Sequence, residues 1–195
     1  MTIANRYTAD PMPPRLRFNR AQYHWIADNS LFDKESYYEL IEGDIFEKMG
    51  LKQPHIGIVV LWVAALGQIF GPTSVVSQAP IVVDDTSEPQ PDIVVTVRPA
   101  EAYIASGEIT PAADVRLAIE VSVSTLTYDL GIKALLYARA GIPDYWVSDV
   151  ANRRLIVHRK PTPQGYASIL TLAETERIAP LAAPNEIFLV SDYLP

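Results

Sequence analysis

The sequence predicts an α/β or α+β domain, a mixed β-sheet flanked by helices. Two observations predict it: helical and strand patterns follow one another in the order helix, strands, helix, strands, and one strand-like run, "VRLAIEVSV", carries a carboxylate, Glu120, amid apolar neighbours. The 195 residues suit one domain that buries about two thirds or more of its unfolded surface in a single core. Residues 18–195 are assigned to that domain and residues 1–17, rich in proline and charge, to an N-terminal extension.

The elements follow in order. "FNRAQYHWIADN" reads as a short helix with Asn19 as its N-cap and Ala21, Tyr23, Trp25 and Ile26 as apolar surface. "YYELIEGDIFEKM" alternates about the turn-like pair Glu42-Gly43 and predicts a hairpin. "PHIGIVVLWVAALGQIFG" predicts a long apolar helix opened near Pro54 and closed by Gly71-Pro72. Strands are expected in "TSVVSQAPIVVD", "PDIVVTV" and "VRLAIEVSV", the last two separated by a loop with some helix between Arg98 and Asp114. "TLTYDLGIKALLYARAGIP" predicts a helix ended by Gly141 and Pro143. "DYWVSD", "RLIVHRK" and "YASILTL" then supply three more strands, the first two joined around Asn152.

Composition narrows the functional classes. A net charge of −7 argues against a broad basic surface holding nucleic acid non-specifically, though not against a local basic groove. No cysteine is present, so disulfides, thiolate nucleophiles and cysteine-held zinc are excluded and any metal must rest on oxygen or histidine. Phosphate-loop and dinucleotide glycine motifs are absent. The N-terminus lacks the unbroken apolar region of an export signal, which predicts a cytoplasmic protein. The run Ile56–Phe70 is shorter than the roughly 18 residues a membrane helix needs, so no membrane partner is expected. Its apolar residues surround the helix, which suits either the centre of the core or a face shared with a second copy in a homodimer.

Period two in "VRLAIEVSV" sets Val115, Leu117, Ile119, Val121 and Val123 on one face and Arg116, Ala118, Glu120 and Ser122 on the other. Glu120 is then a solvated strand residue, an ion-pair partner of Arg116, or a functional acid. Asp92, after Pro91 at the head of "DIVVTV", is a turn aspartate or a second acid. If the two strands are neighbours, their carboxylates meet in one pocket, where mutual repulsion calls for a cation. An oxygen-rich pair of this kind suits Mg²⁺ or Mn²⁺. His24 and His158 lack partners at metal-ligand spacing, and "RRLIVHRK" reads as a strand with a solvated face.

Those residues carry a resemblance. "PD" before an apolar strand, followed by an acid inside a second strand, resembles the PD-(D/E)XK nuclease superfamily. "YELIEGDIF", the helix headed by His55, "SEPQPDIVV" and "IEVSVSTLTYDLGIKALLYARAGIPDYWVSD" are similar to a restriction-endonuclease-like family expanded in cyanobacteria, from about Phe18 to the C-terminus. The resemblance implies a restriction-endonuclease-like fold and Mg²⁺-dependent hydrolysis of DNA phosphodiester bonds, with Asp92 and Glu120 holding the metal. Ser122 stands where the superfamily motif places its lysine, and the resemblance moves that role to Lys133 on the following helix. Glu39, His55 and Ser122 are given accessory places, and Glu42 is expected to be a turn residue. The alternative is a protein that keeps the nuclease fold and binds nucleic acid or protein without turnover.

Overall fold

The computed structural model describes residues 15–33, 36–48 and 52–194. Most of the expected N-terminal extension, residues 1–14, lies outside the described residues. Helix α1 (Arg20–Asp28) is opened by a capping box in which Asn19 and Gln22 satisfy each other's backbone N–H groups. Strands β1 (Tyr37–Ile41) and β2 (Asp44–Lys48) form the expected hairpin. Glu42 and Gly43 both take positive φ, 48° and 81°, the pattern of a two-residue turn matched to strand twist. Only glycine fits the second position, because a Cβ there would lie 2.8 Å from that of Arg17.

Helix α2 (His55–Phe70) is followed by β3 (Val75–Ser77) and β4 (Ile81–Val82). The single strand expected in "TSVVSQAPIVVD" is thus two: the chain turns at Gln78, which has φ 52°, and β4 leaves to pair in parallel with the short β6 (Thr110–Pro111). Between them come β5 (Ile93–Thr96) and α3 (Ala100–Ser106). β7 (Val115–Ser122) leads into a helical run over residues 126–139: α4 (Leu126–Tyr128), a π-helical turn (Asp129–Lys133) and α5 (Ala134–Arg139). β8 (Asp144–Asp149), β9 (Arg154–Thr162) and β10 (Gly165–Ala173) come next, and β11 (Arg177–Ile178) with β12 (Phe188–Leu189) closes the chain.

The main sheet is six-stranded, in the order β10-β9-β8-β7-β5-β3. It is mixed: β7 and β8 run parallel, joined by the helical run, while its other neighbours are antiparallel. A parallel pair needs such a crossover, and the crossover lays a helix on one face of the sheet. α2 covers the opposite face. There Ile58, Trp62 and Leu66 pack on Ile93, Leu117, Ile119 and Trp146. On the other face Ala134, Tyr137 and Ala138 pack on Val94, Ala118, Tyr145 and Ile156.

Three expectations for β7 need correction. Its supposedly polar face is buried, with Glu120 only 2% exposed, because the crossover helix roofs it. Val115 also belongs to that roofed face rather than with Leu117 and Ile119. The cause is an irregularity in the ladder: Val95 pairs with Leu117 but Thr96 with Val115, so Arg116 is an extra residue that reverses the alternation. Val123, expected in the core, lies beyond the strand and is 46% exposed. α2 buries one side only, its outer side carrying Ile56 and Val60 in solvent.

Candidate active site

The register of β5 and β7 sets Ile93 opposite Ile119. Asp92 immediately precedes Ile93, and its carboxylate accepts from the N–H of Val121, the residue after Glu120, so both acids stand at the same end of this ladder. Both acids are buried, and both line a cavity of about 320 Å³ between the sheet, the β1–β2 hairpin and the start of the crossover helix. Glu39, His55, Lys48 and Lys133 line it with them. Ser122 is buried on the same strand but outside the lining.

Glu120 is met from the helix. Its Oε1 accepts hydrogen bonds from Lys133 Nζ at 2.9 Å and from the Tyr137 hydroxyl at 3.0 Å. Lys133 Nζ also lies 3.1 Å from Glu39 Oε2, so one ammonium bridges a hairpin carboxylate and a sheet carboxylate. Glu39 is held in turn by the Gln90 N–H at 3.0 Å and the Tyr128 hydroxyl at 3.2 Å. Lys133 is buried, only 2% exposed. The π turn aims it: Ala134 N–H reaches back to the Asp129 carbonyl, which also accepts from the Tyr145 hydroxyl at 3.0 Å. Such a turn inserts one residue into the helix and rotates the residues beyond it about the helix axis.

Asp92 is met from α2 and the hairpin. Its Oδ2 accepts from His55 Nε2 at 3.0 Å and from the Val121 N–H at 2.9 Å, while Lys48 Nζ lies 3.5 Å from Oδ1. Since a carboxylate only accepts, His55 donates through Nε2; its Nδ1 is buried with no partner in the described residues. Lys48 Nζ donates to the Gln90 carbonyl at 2.6 Å.

The two acids are electrostatically unlike. Burial raises the pKa of Asp92, but the His55 hydrogen bond, the Lys48 and His55 charges and the Val121 N–H outweigh it and hold the carboxyl well below the usual range. Burial pushes Glu120 up; the Lys133 charge opposes this, and Asp92 and Asp129 reinforce it. Burial also disfavours the Lys133 charge, yet Glu120, Glu39, Asp129 and Asp92 together keep it protonated.

Ser122 has a different task from the amine it replaces in the motif. Its hydroxyl donates to Asp129 Oδ2, which also accepts from Thr125 Oγ1 at 2.6 Å, so serine ties the end of β7 to the start of the helical run. The basic partner of Glu120 is Lys133, not Arg116. Glu42 sits in the hairpin turn and pairs with Arg139 at 2.8 Å on the surface. His24 is a structural group, lying 3.0 Å from the buried Glu88. His158 is buried against Tyr145 and Tyr166, and Arg154 and Arg159 pair with Asp149 and Asp144 as structural groups.

Sequence reasoning missed Lys48, Tyr128 and Tyr137. The spacing of Tyr137 four residues after Lys133 could have placed it on the same helix face. For Lys48 and Tyr128 no local signal exists, since Lys48 reaches Asp92 only through the packing of the hairpin on the segment before β5, and Tyr128 reaches Glu39 only through the packing of the helix on the hairpin.

Among the described residues no group of three or more metal-ligating side chains is gathered. An all-protein cage is therefore not what this site resembles. Mg²⁺, however, is characteristically held by one or two carboxylates with waters and substrate oxygens completing its shell. Asp92 and Glu120 on a roomy cavity fit that mode, and the burial that disfavours a charged Glu120 is what a divalent cation would offset.

Comparison with known proteins agrees with this architecture. A crystal structure titled as "a putative nuclease belonging to DUF820" from Anabaena variabilis superposes with a TM-score of 0.64 at 19% sequence identity, covering 86% of this chain and 94% of that one. At that identity the likeness establishes the fold. A comparison with curated proteins gives no match. The Uma2 family, described as "Putative restriction endonuclease", matches residues 21–190, nearly the whole of the described chain, and the protein belongs to this restriction-endonuclease-like family.

Proposed function

We propose that the protein is a metal-dependent endonuclease that hydrolyses DNA phosphodiester bonds. One observation carries the reading: Asp92, just before β5, and Glu120, on the neighbouring β7, bring two buried carboxylates to one cavity of a restriction-endonuclease-like fold. Family membership supports a nuclease function.

In this reading Asp92 and Glu120 hold Mg²⁺ or Mn²⁺. Held there, such an ion would supply Lewis-acid polarisation of the scissile phosphate and a lowered pKa for an attacking water. His55 and the Val121 N–H fix Asp92 Oδ2, leaving Oδ1 turned to Lys48 and the cavity. Lys133 steadies Glu120 and Glu39, and its charge would stabilise charge developing on the phosphate oxygens. Burial of these groups means that their charges act with little screening by water.

Two measurements on Asp92→Asn test the reading. Wild type should nick supercoiled DNA with Mg²⁺ or Mn²⁺ and lose the activity in chelator, and Asp92→Asn should be slower by about a hundredfold or more. Calorimetric Mn²⁺ binding should weaken in the same variant. Equal Mn²⁺ affinity in the two proteins would remove the metal site. A wild type that binds DNA but cleaves none would support the alternative, a nuclease fold used as a binding module.

A further inference from the structure

The wall of the cavity facing the acids is built by β2. Phe46 and Lys48, two residues apart, both line it, as does the exposed Lys52. The Phe46 ring is 5.3 Å from that of Tyr128, tilted by 45°, so two aromatic rings stand beside the carboxylates. Glu47 also reaches the cavity, but its carboxylate is engaged by Ser36 at 2.6 Å.

The two inner lysines differ in what they can still offer. An ammonium has three N–H groups. Lys133 Nζ lies 2.9 Å from Glu120 Oε1, 3.1 Å from Glu39 Oε2 and 5.6 Å from the Tyr128 ring centroid, so it is committed to the two carboxylates. Lys48 makes one short bond, to the Gln90 carbonyl, and lies 3.5 Å from Asp92, so it retains donor capacity beside the acid. A phosphate seated at Asp92 would therefore meet Lys48.

An aromatic wall inside a cavity adds nothing to the recognition of a stacked duplex, whose base faces are covered by their neighbours. It matches the face of an unstacked base, for which an aromatic platform is the usual partner. We propose that the β2 wall binds one unstacked nucleotide of a single strand, with the base against Phe46 and the phosphate beside Asp92 on Lys48. Lys52 takes the next phosphate at the mouth. The proposal rests on the nuclease reading and adds its substrate class: single-stranded or frayed DNA rather than continuous duplex.

The experiment measures binding without turnover, by fluorescence anisotropy of labelled oligonucleotides with Ca²⁺ over a range of salt concentrations. Wild type should bind a single strand more tightly than a duplex of the same sequence. Phe46→Ala should weaken single-strand binding by about 5- to 100-fold, as expected for one base removed from an aromatic platform, with the salt slope unchanged. Lys48→Met should reduce the slope of log affinity against log salt by about 0.7, one phosphate contact, and Lys48→Arg should restore it. Thermal melts accompany each variant; should Phe46→Ala not fold, Phe46→Leu keeps the apolar volume and removes the stacking. Unchanged single-strand affinity in the Phe46 variants, an unchanged slope in Lys48→Met, or a preference for duplex overturns the proposal, and metal-dependent cleavage lost in Asp92→Asn would leave the nuclease reading standing. Failure of the wild type to bind any DNA overturns both.

Discussion

The two faces of the central sheet are buried alike and built differently. Under α2 the contacts are almost wholly apolar, with Trp62 stacked on Tyr193 at 4.0 Å and packed edge-on to Trp146 and Phe188. Under the crossover helix a comparable apolar cluster stops at Glu120, and from there Glu39, Asp92, Asp129 and Lys133 continue the interior. The apolar face draws its stability from area removed from water, a non-directional effect that tolerates modest substitution. The charged face must satisfy each group individually, because an ion left alone in the interior costs far more than a lost methyl group. Stability alone does not account for these residues, since well-packed apolar side chains would serve the fold at least as well.

Breaking the charged face should give the largest effect. Lys133→Ala strands Glu39 and Glu120 in the interior, and urea denaturation should show a loss of about 3–5 kcal/mol. On a solvated helix face this lysine would be nearly dispensable for folding; burial between two carboxylates makes the fold depend on it. Neutralising the partners sharpens the point: Lys133→Met with Glu39→Gln and Glu120→Gln should recover most of the loss while remaining inactive. A triple variant as unstable as Lys133→Ala would mean that shape, not charge, governs this face.

The apolar face should respond through volume. Leu66→Ala opens a cavity under α2 and should cost about 2–5 kcal/mol in the same measurement, with DNA cleavage unaffected in the folded protein. Combined with Lys133→Ala the losses should add within about 0.5 kcal/mol, since the sheet separates the two sites. Strong non-additivity would show that the faces are coupled through the β5–β7 ladder.

The smallest effect concerns pH. His158 lies on the crossover-helix side against Tyr145 and Tyr166, and burial lowers its pKa. The unfolded chain, with a histidine near 6.5, therefore takes up a proton before the folded protein does. The resulting stability is present above that pH and is lost as pH falls below it, by at most about 1.4 kcal/mol per pH unit. His158→Phe should flatten the stability profile between pH 7 and 5 relative to wild type. Parallel profiles would assign the acid sensitivity to other groups.

Much of the fold was legible in the residues because its signals are local. Asn19 and Gln22 cap a helix within one turn, Glu42-Gly43 sets the hairpin, and Gly71-Pro72 ends α2, each by backbone chemistry confined to a few positions. The pairing of Asp92 with Glu120 was legible only as a condition on strand adjacency, and the register of β5 and β7 meets it. Tertiary structure alone decided the rest. Whether the second face of β7 was wet or dry depended on where the crossover helix landed, and the reversal at Arg116 depended on a ladder irregularity that no periodicity encodes. Lys48 and Glu39 on the hairpin and Lys133 and Tyr128 on the helix converge from segments far apart in sequence. By itself the sequence determined which residues can carry charge and where the chain bends; the packing of hairpin, sheet and helix decided which charges share one dry cavity, since burial and distance, on which their energies depend, are properties of the folded chain.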